Sequence, residues 1–256
     1  KDNGRLTVMQ NVVASSCQVC AENPIPLWEI RAHAITHDAQ TRTLRFDQPQ
    51  LRAFGLPIVS LPSLTAPDPT VERMTGFLQP RFRTTSSLGP GIKLPYFVTL
   101  GDHADVTLTP YVAASRTSTL EMRYRQAFSN GALELNGALT RDDIEPGETR
   151  GYLFGAARFE LPRGYQLGVQ LQMAKDRAYL LDYDITDADR LWSGITLDRV
   201  VRDRMVTARI GNYESLRDDE PDDITPSIVA DALWQRRWQP GRIGGLASME
   251  WSLHAH

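Results

Sequence analysis

Apolar and polar residues alternate with a period of two through most of the second half of the chain. Such alternation marks strands, because successive side chains in a strand point to opposite faces. Over 104–115 one face carries Ala104, Val106, Leu108, Pro110, Val112 and Ala114, and the other Asp105, Thr107, Thr109, Tyr111 and Ser115. Over 119–128, Leu120, Met122, Tyr124 and Phe128 oppose Thr119, Glu121, Arg123 and Arg125. Over 165–175, Tyr165, Leu167, Val169, Leu171 and Met173 oppose Gln166, Gln170 and Gln172. Weaker versions stand at 132–141, 151–161, 205–213, 227–238 and 243–253, and with the less regular segments about eleven strands are expected after residue 76.

The connections differ at the two ends of these strands. Tight turns are predicted at Ser129-Asn130-Gly131, Pro162-Arg163-Gly164, Arg202-Asp203-Arg204 and Gln239-Pro240-Gly241-Arg242, while 142–149, 177–190 and 214–226 are long. A soluble β-sandwich alternates too, because each sheet buries one face. The asymmetry in loop length favours a membrane barrel, which has brief turns at one end and longer loops at the other. Bacterial single-chain barrels use an even number of strands, and an unpaired last strand would leave backbone groups unsatisfied in lipid. The chain is therefore read as an internal fragment.

Before residue 63 the predicted strands are shorter and less regular, at 5–13, 28–37, 42–47, 50–54 and 57–61. The composition, 41% apolar and 23% charged over 256 residues, is that of a folded chain. The net charge is −3, but 15 of the 31 acids fall in 142–148, 176–189 and 214–223. The charge belongs to loops and identifies no partner. No run of about 18 apolar residues occurs, so a transmembrane helix is excluded and a barrel is not. No export signal stands at the start.

Cys17-x2-Cys20-x12-His33-x3-His37 has the spacing of a zinc finger, whose thiolates and imidazoles would close a tetrahedron around the metal. Three details count against it. Pro24 and Pro26 interrupt the segment where a helix must begin. Trp28, Ile30, Ala32 and Ala34 alternate with Glu29, Arg31 and His33, as in a strand, although Leu27, Ile30 and Ala34 also suit a helical face. Residues 17–40 hold one basic residue, Arg31, and a nucleic-acid reader needs a concentrated basic face, so no nucleic-acid partner is expected. A soluble zinc-binding β module using Cys17, Cys20, His33 and His37 is the alternative reading.

Residues 54–80, FGLPIVSLPSLTAPDPTVERMTGFLQP, join the two kinds of β structure. Asp68-Pro69-Thr70, the basic Arg73 and Thr75-Gly76-Phe77-Leu78 follow in order. Leu94-Pro95-Tyr96-Phe97 and Ala104-Asp105-Val106-Thr107-Leu108-Thr109-Pro110 come next. This succession resembles the LptD family of LPS-assembly outer-membrane proteins, most closely over 5–160. Ser63 departs from it, because an aromatic residue is common after the proline there.

The resemblance implies an all-β fold. The end of a periplasmic β-jellyroll would occupy 1–62, a hinge 63–76, and antiparallel transmembrane strands of an incomplete β-barrel 77–256. It further implies transport and insertion of lipopolysaccharide into the outer leaflet of the bacterial outer membrane, with the N-terminal part in the periplasm. Pro80 and Pro95, read as lying within the first two barrel strands, match prolines beside a lateral gate; proline has no N–H to give to a ladder. Leu6, Val8, Trp28, Ile30, Leu44, Phe46 and Leu51 would line an acyl-chain groove. In the family, cysteines at the end of the jellyroll bond to cysteines in the distal barrel; here Cys17 matches that position, Cys20 stands beside it, and the pairing stays open. The implied partners are lipopolysaccharide, the lipoprotein that plugs the barrel, the periplasmic bridge protein and outer-membrane lipids. The acidic loops are candidates for divalent cations that bridge lipopolysaccharide phosphates. No GxSxG elbow or Ser–His–acid set occurs, so neither an enzyme nor a cofactor is expected.

Overall fold

The computed structural model describes residues 4–15, 26, 28–53, 55–71, 73–85, 88–114, 117–217, 220 and 228–255. In chain order the strands are β1 (Leu6–Ala14), β2 (Trp28–Asp38), β3 (Thr43–Asp47), β4 (Gln50–Ala53), β5 (Leu56–Ser60), β6 (Ser63–Pro67), β7 (Gly76–Phe77), β8 (Arg81–Thr85), β9 (Gly89–Lys93) and β10 (Tyr96–Thr99). The longer strands follow: β11 (Ala104–Ala113), β12 (Thr117–Phe128), β13 (Gly131–Arg141), β14 (Arg150–Leu161), β15 (Tyr165–Ala174), β16 (Arg190–Val201), β17 (Arg204–Ser215), β18 (Val229–Trp238) and β19 (Ala247–Ala255). Helix α1 (Tyr179–Asp182) is one turn long. The fold is all-β with antiparallel sheets, as the alternation predicts, and divides into two compact units: Lys1–Leu78 with Tyr96–Thr99, and Gln79–Pro95 with Leu100–His256.

In the first unit β2 is the central strand. The order is β5-β4-β2-β3-β6, and β1 also pairs with β2. β3 and β4 lie along β2 in one register, Ala34 opposite Asp47 and Arg31 opposite Gln50. The break between them holds Gln48, at φ 48°, and Pro49. Asp38 closes the β2–β3 turn by accepting the backbone N–H of Gln40 at 2.9 Å and of Thr41 at 3.3 Å. Arg5 grips the same carboxylate through two bonds, of 3.0 and 3.2 Å, and with those turn N–H groups holds it well below the usual range. The core is Ala32, Ile35 and Phe46, packed by Val12, Ile30, Leu44, Leu64 and Ala66. β6 pairs with β3 and runs in the stretch read as hinge. β7 pairs with β10, and Phe77 meets Tyr96 edge to face at 4.8 Å.

The second unit is an antiparallel meander, β8-β9-β11-β12 and onward in sequence order to β19. Among the described residues this unit has eleven strands, and with β7 and β10 of the first unit the chain from Gly76 onward holds thirteen, more than the about eleven expected. Phe128 faces Gly131 across a two-residue turn, Leu161 faces Tyr165 and Val201 faces Arg204, so three of the four predicted tight turns are formed. The fourth, predicted at Gln239–Arg242, is instead an eight-residue connection over 239–246, because Trp238 faces Ala247. At Pro162–Gly164 the chain reverses through left-handed backbone, φ 66° at Arg163 and 78° at Gly164, and glycine carries the second at no steric cost.

Register assigns every side chain to one of two faces. One face runs Val112, Leu120, Leu139, Leu153, Met173, Ile195, Ile210 and Leu253 from strand to strand, and these apolar residues are exposed. The opposite face carries Asp105 with Arg125, Glu121 with Lys93, Arg123 with Glu134 and Arg209 with Asp231. There Thr109, Tyr111, Thr117, Thr119 and Thr140 are buried. A water-soluble sheet does the reverse, because the hydrophobic effect buries the apolar face. Among the described residues no helix is long and apolar enough to cross a membrane.

Candidate functional site

Two places in the second unit depart from a plain meander. The first is where β8 and β9 end. Their ladder runs from Thr85–Gly89 to Arg81–Lys93 and goes no further. Residues 78–80 then separate β7 from β8 and residues 94–95 separate β9 from β10. Each break contains a buried proline, Pro80 or Pro95, just outside a strand and not within one. Neither can donate to a ladder, and Leu94 N–H goes to Pro110 O, 3.1 Å away, on the next strand.

The second is a buried ionic cluster where the long connections meet the polar face. Arg150 opens β14. Its Nε and Nη2 donate to Asp176 at 3.0 and 2.9 Å, Nη2 donates to Asp182 at 2.7 Å, and Nη1 reaches Asp142 at 3.3 Å. The Arg150 and Asp142 side chains are 3% and 0% exposed. Asp142 also accepts the Tyr183 hydroxyl at 2.6 Å and the N–H groups of Ile144 and Glu145 at 3.1 and 3.2 Å. Asp176 accepts the N–H of Tyr179 at 2.8 Å. A buried charge is tolerated only when paired and hydrogen-bonded, and each of these groups is.

The aromatic half of the cluster seals it. Tyr179 and Tyr183 stack at 4.4 Å, and the Tyr179 hydroxyl continues a chain to Thr140 at 2.7 Å and Thr119 at 2.9 Å. Leu88, Tyr111, Ala113, Ala138, Leu180 and Leu191 pack around them. Burial works against the Asp176 carboxylate, but the hydrogen bonds and charge of Arg150 and the backbone N–H groups outweigh it, holding its pKa below the ordinary value. Burial, and then the bond to Asp142, push Tyr183 up to about 12. The connection over 175–189 is thereby tied onto the polar face. Asp142, Asp176 and Asp182, three of the acids considered for cations, are occupied by Arg150. Among the described residues no group of three metal-binding side chains occurs.

Of the groove candidates, Ile30, Leu44 and Phe46 meet in the core of the first unit. Leu51 is buried opposite Ile30, Leu6 and Trp28 are half-buried, and Val8 is exposed. Cys17 and Cys20 lie outside the described residues, so both their pairing and their half of the zinc pattern do too. His33 and His37 sit on β2, a strand and not a helix. Four residues along a strand span about 13 Å, whereas zinc ligands stand about 2 Å from one ion. His37 Nε2 instead meets Asp68 Oδ2 at 2.5 Å. The zinc module is not favoured.

Arg150 and its carboxylates went unnoticed in the sequence. The available signal was an arginine opening a strand directly after one acidic connection and two strands before another.

No protein-family model matches the chain. Curated relatives do. Over 159 residues it is 31% identical to the LPS-assembly protein LptD of Bordetella pertussis, covering 62% of this chain and 20% of that protein. Over 185 residues it is 30% identical to the LPS-assembly protein LptD of Alkalilimnicola ehrlichii, covering 69% and 24%. Over 174 residues it is 27% identical to that of Burkholderia thailandensis, covering 68% and 22%. The chain thus spans about a fifth to a quarter of the length of these relatives. Alignments to relatives from three genera, all of one family and each covering 62–69% of this all-β chain, lead to one conclusion: the chain belongs to the LptD family of LPS-assembly proteins.

Proposed function

We propose that the chain takes part in transporting lipopolysaccharide and inserting it into the outer leaflet of the bacterial outer membrane. The second unit supplies strands of a transmembrane barrel, and the first unit is the end of a periplasmic jellyroll. The observation that carries this reading is the inverted sheet of the second unit, apolar on its exposed face and charged on its sheltered one. Lipid is the solvent that suits such a face, and strands that pair along the meander satisfy their backbone groups there.

Within this reading Pro80 and Pro95 mark a lateral gate. Two missing N–H donors leave the first strands weakly paired, so little ladder has to break when lipopolysaccharide leaves the lumen. The polar face receives sugar and phosphate groups, while Ile30, Leu44 and Phe46, with the other groove candidates, support the acyl chains. A lipoprotein fills the barrel, and the periplasmic bridge protein docks edge to edge by strand addition. Binding and opening drive the process, with no covalent step.

Fractionation of cells producing the full-length protein tests the reading. Recovery in the outer membrane, with gel mobility that changes on boiling, supports it. A soluble protein of unchanging mobility refutes it.

A further inference from the structure

Arginines collect on the outward, apolar face of the second unit at its short-turn end. Val201 pairs with Arg204, and Arg204 in turn with Arg236, on the face that also carries the Val206–Trp234 and Trp234–Trp251 pairs. Arg199 pairs with Val206, its guanidinium lies 5.1 Å over the Tyr165 ring, and its Nε donates to Arg163 O at 2.8 Å. The adjoining turns add Arg163, Arg202 and Arg242. Among the described residues one carboxylate pairs with any of the six: Asp203, 3.4 Å from Arg204 Nε, where both side chains are half exposed.

Like charges placed directly opposite across a ladder repel, and a sheet tolerates the pair when an anion stands between them. The neighbours indicate which anion. Tyr165, Trp238 and the touching rings of Phe128 and Phe159, 5.5 Å apart, face outward at this same end, as aromatic girdles do at a membrane interface. Guanidinium forks match phosphate geometry, and long arginine stems keep their heads at the interface while lying on apolar surface. The opposite end of the strands is acidic, so the attraction for anions is confined to one rim.

We propose that this rim binds the phosphate of an anionic phospholipid, with Arg204 and Arg236 bracketing one headgroup and Arg199 beside them. The inference rests on the membrane-spanning reading above.

The test uses the full-length protein in bilayers, in a variant that retains Trp234 as its only tryptophan. Quenching of Trp234 by brominated phosphatidylglycerol is compared with quenching by brominated phosphatidylcholine at equal mole fraction. Expected is local enrichment of phosphatidylglycerol on the order of fivefold, weakened by added salt. Arg204→Gln with Arg236→Gln brings the two lipids level, and Arg204→Lys with Arg236→Lys keeps most of the preference; boiling-dependent mobility verifies that each variant is folded. Equal quenching by both lipids before any arginine is changed overturns the headgroup site and leaves the membrane reading standing. Absence of quenching by either lipid overturns the membrane reading itself.

Discussion

Arg150 and Asp142 meet at 3.3 Å with side chains that are 3% and 0% exposed, so neither charge can turn to water if the other is lost. Arg150→Met leaves Asp142 buried beside Asp176 and Asp182. Breaking a buried pair from one side costs about 3–5 kcal/mol. The expected outcome is a lowered unfolding midpoint and faster proteolysis within 175–189. Adding Asp142→Leu restores part of the loss, because the stranded charge is then gone.

The same cluster predicts a response to alkali. Tyr183 is raised to about 12 from 10.0 by burial and by its bond to Asp142. The folded state therefore holds its proton more tightly than the unfolded chain. Its contribution is complete below pH 10 and disappears as pH climbs towards 12. Protection of 175–189 from proteolysis should fall across that window, and Tyr183→Phe should abolish the step. Asp176, held low, acts with the opposite sign: its contribution is present above the ordinary carboxylate pKa of 3.8 and is lost in acid.

Ile195 stands midway along β16, 47% exposed on the apolar face. In water, replacing such a residue by arginine changes stability by about 0.5 kcal/mol or less. On a lipid-facing strand near the bilayer midplane the cost is about 2–4 kcal/mol. Equilibrium unfolding of Ile195→Arg from lipid should give the larger value.

Pro80→Ala with Pro95→Ala supplies two N–H donors where the β8–β9 ladder stops. Each bond formed is worth about 1 kcal/mol. Tighter pairing should slow delivery of lipopolysaccharide to the cell surface, read by surface labelling, without lowering the amount of folded protein. Unchanged delivery would count against the gate.

His33 and His37 lie on one strand, and His37 is engaged by Asp68. His33→Ala and His37→Ala should leave zinc content unchanged. A chelator should leave the unfolding midpoint where it was.

The sequence by itself determined the long strands, three of the tight turns and which residues of one strand share a face, because these depend on a period of two and on local turn chemistry. Val106, Leu108 and Val112 were legible as one face of their strand from parity alone. So was the mismatch between brief turns and long acidic connections. Alternation could not tell whether the apolar face turns inward or outward, since sandwich and barrel share the same period; exposure of Leu139 and burial of Tyr111 decided that. Nor could it read the acidic connections. Asp142, Asp176 and Asp182 are separated from Arg150 by 8, 26 and 32 residues, and they meet only because strand register and the fold of 175–189 carry them to one guanidinium. Burial then makes each charge depend on the others, a relation that tertiary structure alone creates because it sets distance and dielectric together.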